Sequence, residues 1–194
     1  CGMERVKVYD DSGIPSATGS GIFARELMRQ RPLLPVEEEG RLNDQGLRGC
    51  FLERVFVYHR WQRLSSGRLT PGTLTDFHAR HKYLLMAHSQ AAYQRMGRML
   101  SQLSGIDLRA TAADYEAELM AALKRRVNRK RHVNVLQHLM GYLKNHLSSE
   151  DKQELLGLIE DYRQGLVPLI VPLTLLKHHL NRYPVPEWVH QQVY

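Results

Sequence analysis

Apolar residues recur at helical spacing over most of the chain beyond residue 45. The clearest case joins Leu136, Leu139, Met140, Leu143 and Leu147, which follow one another at steps of three, one, three and four. This spacing places them on one face of a helix. Comparable patterns predict helices at 47–64, 70–103 with a break near Ser89, 111–124, and after Ser148 with Leu155, Ile159, Tyr162 and Leu166 on one stripe.

Capping residues predict where several of these helices begin. Thr70 precedes Pro71, a pair typical of an N-cap followed by the first helical position. The segment 111–114 resembles a capping box with Asp114 in place of Glu, and Ser148 is suited to cap the next helix. Pro172 indicates that the last apolar helix is kinked or begins there.

Residues 1–45 have a different, α/β character. Residues 5–9 alternate polar and apolar positions, which is typical of a strand, and 10–13 read as a turn. Gly19 and Gly21 then precede a helical pattern, and residues 33–36 suggest another short strand. The predicted fold class is mainly α, with a multi-helix domain at 46–194 preceded at 1–45 by the truncated tail of an α/β domain.

Composition restricts the classes of protein that fit. The 194 residues are 43% hydrophobic, which suits a globular core. The longest apolar run, residues 166–176, is too short to cross a bilayer, and residues 1–20 do not resemble a signal peptide. Two cysteines form no disulfide framework. We therefore expect a cytoplasmic protein.

Charge is unevenly divided between the two parts. Residues 1–45 carry 6 Lys/Arg and 8 Asp/Glu, a net charge of −2, whereas residues 46–194 carry 21 and 12, a net charge of +9. A basic surface attracts polyanions, most often nucleic acid or an anionic membrane.

The densest charge lies between residues 124 and 131, with no acidic residue between Glu118 and Glu150. Six like charges in eight residues repel one another, and phosphates compensate such repulsion well. The alternative is a solvated helix end, where cations also favour the helix dipole. The predicted nucleic-acid-binding residues here are Lys124, Arg125, Arg126, Arg129, Lys130 and Arg131.

A second group of basic side chains lies in DFHARHKYLLMAHS, residues 76–89. His78 and His81 are three positions apart and share a helix face. We predict phosphate or base contacts from His78, Arg80, His81 and Lys82, with a metal site or a structural network between helices as alternatives. Residues 46–194 contain no evident nucleophile–base set, paired carboxylates or P-loop, so taken alone they indicate a basic helical binding module.

Several stretches resemble known families. The segments FLERVFVYHRWQRL, DFHARHKYLLMAHS, residues 133–184 and the terminal QQVY resemble the YbgA-like helical family, a domain of unknown function, over roughly residues 47–194. Residues 1–45 resemble the C-terminal part of the TudS-like thiouracil desulfidase domain, in which a strand ends in Ser-Pro-Ser-Cys-Gly. Only Cys1 and Gly2 of that motif are present.

The second resemblance implies a specific chemistry. TudS-like domains hold a [4Fe-4S] cluster with three cysteines, and the open iron takes sulfur from a thiolated pyrimidine. Cys1 matches the last ligand, so we expect a fragment of a fusion that lacks its upstream part and is inactive alone. The fused form resembles a desulfidase acting on 4-thiouridine in tRNA, which implies that the helical domain holds tRNA.

Two other functions remain open from the sequence. The helical domain can be a protein-interaction or folding module, with a contact near residues 166–176. It can also act independently on DNA. The thiolated nucleobase and the oligomeric state are left open.

Overall fold

The computed structural model describes residues 6–19, 21–103 and 107–194. Over these residues the protein is mainly α, which confirms the predicted fold class. The strands are β1 (Val6–Tyr9) and β2 (Pro15–Gly19). The helices are α1 (Ile22–Gln30), α2 (Gln45–Ser66), α3 (Pro71–Arg80), α4 (Lys82–Ser101), α5 (Leu108–Leu123), α6 (Arg129–Met140), α7 (Ser149–Gln164), α8 (Ile170–Arg182) and α9 (Glu187–His190). Short 3-10 turns occupy Glu39–Asn43 and Gly141–Leu143.

The N-terminal strands form an antiparallel hairpin. Tyr9 pairs with Pro15, and the turn between them contains Gly13 at a φ of 72°. The predicted first strand and turn are therefore confirmed, whereas β2 was missed. The strand predicted at 33–36 is wrong, because that segment is irregular and its Val36 carbonyl accepts a hydrogen bond from the Arg54 side chain at 2.8 Å.

The chain divides into two compact units that do not follow the chain order. The first unit contains residues 1–68 and 116–126, and the second contains residues 69–115 and 127–194. Helix α5 contributes its N-terminal half to the second unit and its C-terminal half to the first. The family boundary predicted at residue 45 is a different division and stays a prediction.

In the first unit, α2 is the main helix. Asp44 caps it by accepting from the Leu47 amide at 3.0 Å. Along this helix Trp61 is buried, whereas Phe51, Val55 and Tyr58 are half-buried. Arg54 and Val57 are buried on the same helix.

The second unit is built on α4, α6, α7 and α8. Their apolar faces form one core that contains the predicted Leu136, Leu139, Met140, Leu143, Leu155, Ile159 and Tyr162. The helical spacing read from the sequence thus identifies most of this core. Ser148 caps α7 by accepting from the Asp151 amide at 3.0 Å, as predicted.

The long segment from Thr70 is broken twice. Thr70 and Thr73 form a reciprocal capping box around Pro71, which confirms the predicted start. The predicted break at Ser89 is also present, with φ −163° and ψ 102°. A second break at His81 separates α3 from α4 and was not predicted.

Candidate nucleic-acid interface

The basic run 124–131 is divided between the two units. Lys124 follows the last residue of α5, and Asn128 caps α6 by accepting from the Arg131 amide at 3.0 Å. Lys124, Arg125 and Arg126 belong to the first unit, and Arg129, Lys130 and Arg131 belong to the second. All of these side chains except Arg131, which is half-buried, are exposed.

In the first unit, Arg126 has a carboxylate partner. Its Nη2 lies 3.2 Å from Oδ2 of Asp44, and the Arg126 side chain is 60% exposed. The same Asp44 carboxylate caps α2. Its pKa is lowered chiefly by the hydrogen bond from the Leu47 amide and further by Arg126. Lys124 lies just beyond the C-terminus of α5, where the helix dipole favours a cation.

In the second unit, two arginines are fixed by uncharged groups. Arg131 donates from Nη1 to the His88 carbonyl at 2.7 Å. The Arg129 guanidinium lies against Gly165, the left-handed residue that ends α7, with atoms 3.0 Å from where a Cβ would stand. These contacts orient both guanidinium groups without cancelling their charge.

The first turn of α6 is therefore unusual in its charge. It holds Arg129, Lys130 and Arg131 and contains no acidic residue. Cations at a helix N-terminus are opposed by the helix dipole, and the backbone N–H groups there favour anions. A bound anion would compensate the three cations and would also be favoured by these N–H groups.

The second predicted cluster is partly buried. His78 and His81 are only 7% and 2% exposed, so neither ring can reach a polyanion without opening of the fold. The His81 Nδ1 lies 2.7 Å from the Phe77 carbonyl, and its ring stacks on the Phe77 ring. His78, in contrast, contacts Tyr93 of α4 and Tyr115 of α5, as in the alternative of a structural network between helices.

His78 has a defined environment. Its Nδ1 lies 3.1 Å from the Tyr115 hydroxyl, and its ring stacks on that of Tyr93 with centroids 4.8 Å apart. Burial lowers its pKa to about 4, so the ring is neutral near pH 7.

The other two members of this cluster reach the surface. Arg80 is 48% exposed and holds Asp76 at 2.9 Å through Nε. The ammonium of Lys82 lies 5.5 Å from the ring centroid of Trp188 and 5.2 Å from that of Tyr83. Unlike the two buried histidines, Arg80 is exposed and Lys82 is half-buried.

The C-terminal segment was missed as part of this region. The Val193 amide donates to the Arg80 carbonyl at 2.9 Å, and the Gln192 side chain donates to the Ala79 carbonyl at 2.9 Å. The Tyr194 hydroxyl forms a hydrogen bond with His132 of α6. The QQVY segment therefore connects the end of α3 to the helix that carries Arg129, Lys130 and Arg131. The QQVY segment has neither a helical nor a strand period, so its local sequence pattern does not predict this contact.

The predicted cluster ligand Cys1 lies outside the described residues. Cys50 is half-buried on α2 and forms no disulfide. A cluster held by three cysteine thiolates needs one more cysteine than the two in this sequence. Within the residues that the structure describes, no helix is long and apolar enough to cross a membrane.

Comparisons with known proteins agree with the helical part of the chain. Residues 82–194 match a family described as "Protein of unknown function (DUF1722)". The chain is 34% identical over 154 residues to "Uncharacterized protein YbgA" of Escherichia coli (strain K12), an alignment that covers 79% of this chain and 90% of that protein. No solved structure matches. The protein accordingly belongs to the DUF1722 family, and its helical part is YbgA-like.

Proposed function

We propose that this chain is part of an iron–sulfur-dependent desulfidase that removes sulfur from a thiolated pyrimidine, 4-thiouridine in tRNA, and that its basic helical part binds the tRNA. The observation that carries the binding role is the first turn of α6, where three cations meet the positive end of a helix with no acidic residue in that turn. Phosphate oxygens are the ligands that such a surface favours.

The contacts of Arg129 and Arg131 support this role. A guanidinium that is already held by the end of α7 or by the His88 carbonyl loses less side-chain entropy on binding phosphate. Lys130 stands between them on an exposed turn and is the member available for a direct contact.

The desulfidase role rests on the resemblance of residues 1–45 to TudS-like domains. Cys1 would supply one thiolate to a [4Fe-4S] cluster, and a TudS-like part on the same polypeptide would supply the others. The cluster would bind the sulfur that leaves the pyrimidine. The role proposed for the described residues is tRNA binding alone.

The test is a tRNA binding measurement over a salt series, made with 4-thiouridine-containing and unmodified tRNA. We expect saturable binding whose logarithm falls linearly with the logarithm of salt concentration. We also expect similar affinity for both tRNAs, because the thiolated base would be recognised at the cluster. Equal affinity for duplex DNA would favour independent action on DNA instead.

Matched variants separate a specific surface from general charge. Lys130→Gln should lower the salt slope by about 1. The matched control is Lys152→Gln, which removes the same charge from an exposed position on α7. Equal losses in both variants would contradict a localised interface, and no binding by the unaltered chain at low salt would reject tRNA binding.

One observation favours a protein-interaction module as the second candidate. Leu166 and Ile170 are 70% and 64% exposed where α7 leads into α8, within the segment predicted for such a contact. Exposed apolar groups of this kind mark protein contacts when they are contiguous. Self-association that is lost in Leu166→Ser with Ile170→Ser, in a chain that binds no tRNA, would support this alternative.

A further inference from the structure

The two tryptophans of the chain have opposite environments. Trp61 is 1% exposed, whereas Trp188 in the first turn of α9 is 38% exposed. An indole is a large apolar group that folding normally covers. Trp188 thus presents aromatic surface to solvent beside Lys82 of the second cluster.

The Trp188 ring is held in place by other aromatic rings. Tyr142 meets it edge-on with centroids 5.3 Å apart, and Tyr83 lies nearly parallel at 6.5 Å. The Tyr83 hydroxyl in turn donates to the Tyr142 hydroxyl at 2.9 Å. A ring fixed in this way loses little freedom when a flat ligand stacks on it.

One positive charge lies close to the same ring. The Lys82 ammonium lies 5.5 Å from the indole centroid. Arg80 precedes Lys82 by two residues in the chain, pairs with Asp76 at 2.9 Å, and has its carbonyl bound by the Val193 amide at 2.9 Å. A cationic ligand such as a methylated amine would be repelled here by the Lys82 ammonium. A ligand with a flat ring and a phosphate matches both features.

We propose that Trp188, with Lys82 and Arg80, is a stacking subsite for one unpaired nucleobase of a bound RNA. The base stacks on the indole, and the neighbouring phosphate lies within reach of the two cations. This combination is characteristic of single-strand recognition, since every base has a π-face and unpaired bases in RNA loops and ends are free to leave their stack. The proposal rests on the proposed function and specifies which part of the tRNA this surface takes.

The experiment measures affinity and intrinsic tryptophan fluorescence with the full chain. The RNAs are unmodified tRNA, an unstructured single-stranded RNA and a blunt RNA duplex. We expect tRNA and the single strand to quench the Trp188 emission, and the duplex to bind without quenching. In Trp188→Phe the quenching should vanish, because the remaining Trp61 is buried.

Variants test the energetic role of the ring. Trp188→Ala should weaken binding of the single strand by about 5- to 150-fold, the range for losing one stacked base. Trp188→Leu keeps apolar bulk without an aromatic face and should weaken binding similarly, which covers the case in which the alanine variant unfolds. Phe56→Ala removes another exposed aromatic side chain, on α2, and should leave affinity unchanged.

The outcomes separate this inference from the proposed function. If the unaltered chain binds tRNA but Trp188→Leu binds as tightly, or if the duplex quenches as strongly as the single strand, the stacking subsite is wrong and tRNA binding stands. A lower melting temperature with unchanged affinity assigns Trp188 a purely structural role. If no RNA binds, both proposals are wrong.

Discussion

At the scale of single residues, His78 shows how burial changes the role of a polar side chain. Its spacing from His81 predicts a shared helix face, and that face turns inward. The ring is 7% exposed and lies between the Tyr93 ring and the Tyr115 hydroxyl. Helical spacing identifies which residues share a face but not whether solvent or another helix covers it.

Acidification is expected to destabilise the protein through His78. The folded state takes up this proton only near pH 4, whereas the unfolded chain takes it up near pH 6.5. The contribution of the neutral His78 to the free energy of unfolding is therefore fully present above pH 6.5. It is lost as the pH falls from 6.5 towards 4, by on the order of 3 kcal/mol. Denaturant unfolding at stepped pH measures the loss.

Two variants isolate the contribution of this histidine. His78→Gln removes the titrating ring and should flatten the pH dependence of the unfolding free energy between pH 6.5 and 4. His138→Gln changes an exposed histidine on α6 and should leave the slope as it is. An unchanged slope in His78→Gln would contradict the assignment.

At the scale of elements, the end of α7 depends on one glycine. Gly165 has a φ of 87°, and Leu166 donates back to the Asp161 carbonyl at 2.9 Å. The chain therefore leaves the helix before Leu166, which is why Leu166 is exposed although periodicity predicts it on the stripe of Leu155, Ile159 and Tyr162. A helix stop by left-handed glycine interrupts the period that the apolar residues otherwise continue.

Two glycines of the same helix should respond in opposite ways to alanine. Gly165→Ala places a Cβ in the left-handed region and 3.0 Å from the Arg129 guanidinium, so it should lower the unfolding free energy by about 1 to 2 kcal/mol. Gly157→Ala meets nothing within 4 Å inside α7 and should raise it by about 0.5 to 1 kcal/mol. Thermal and denaturant unfolding compare them, and equal signs would contradict this account.

The start of α5 corrects the predicted capping box at 111–114. The helix already begins at Leu108, and the Asp107 carboxylate accepts from the Arg109 amide at 2.9 Å. Thr111 lies within the first turn, where its hydroxyl donates to the Asp107 carbonyl at 3.1 Å. The sequence offers two plausible caps, Asp107 and Thr111, which are four residues apart. Only the path of the backbone decides between them.

Substitution of the two aspartates distinguishes the caps. Asp107→Ala removes the acceptor of the orphan amides of α5 and should lower the unfolding free energy by about 1 kcal/mol. Asp114→Ala changes an exposed interior position and should leave it unchanged or slightly higher, because alanine favours helix. Helicity by circular dichroism and denaturant unfolding test the pair, and a larger loss in Asp114→Ala would restore the cap at 111–114.

At the scale of the whole molecule, the excess positive charge is a property of the sequence and its availability is a property of the fold. The charge of +9 over residues 46–194 is read directly from composition. The fold assigns Arg126 to Asp44 and Arg131 to the His88 carbonyl. It leaves Lys124 of the first unit and Lys130 of the second exposed. The proposed function is therefore carried by a subset of the cations.

The amino-acid sequence by itself determined the helical class, most of the core of the second unit, and the caps at Thr70 and Ser148. These features follow from local spacing and from side chains that bond to amides within one turn. It also identified both cationic segments and the break at Ser89.

Only the tertiary structure decided which of the predicted contacts are accessible. Examples are the burial of His78 and His81, the exposure of Trp188 beside Lys82, and the attachment of residues 192–194 to α3 and α6. Each of these features depends on contacts between residues far apart in the chain. Local patterns do not encode such contacts, because they depend on which faces pack together once the apolar stripes are buried.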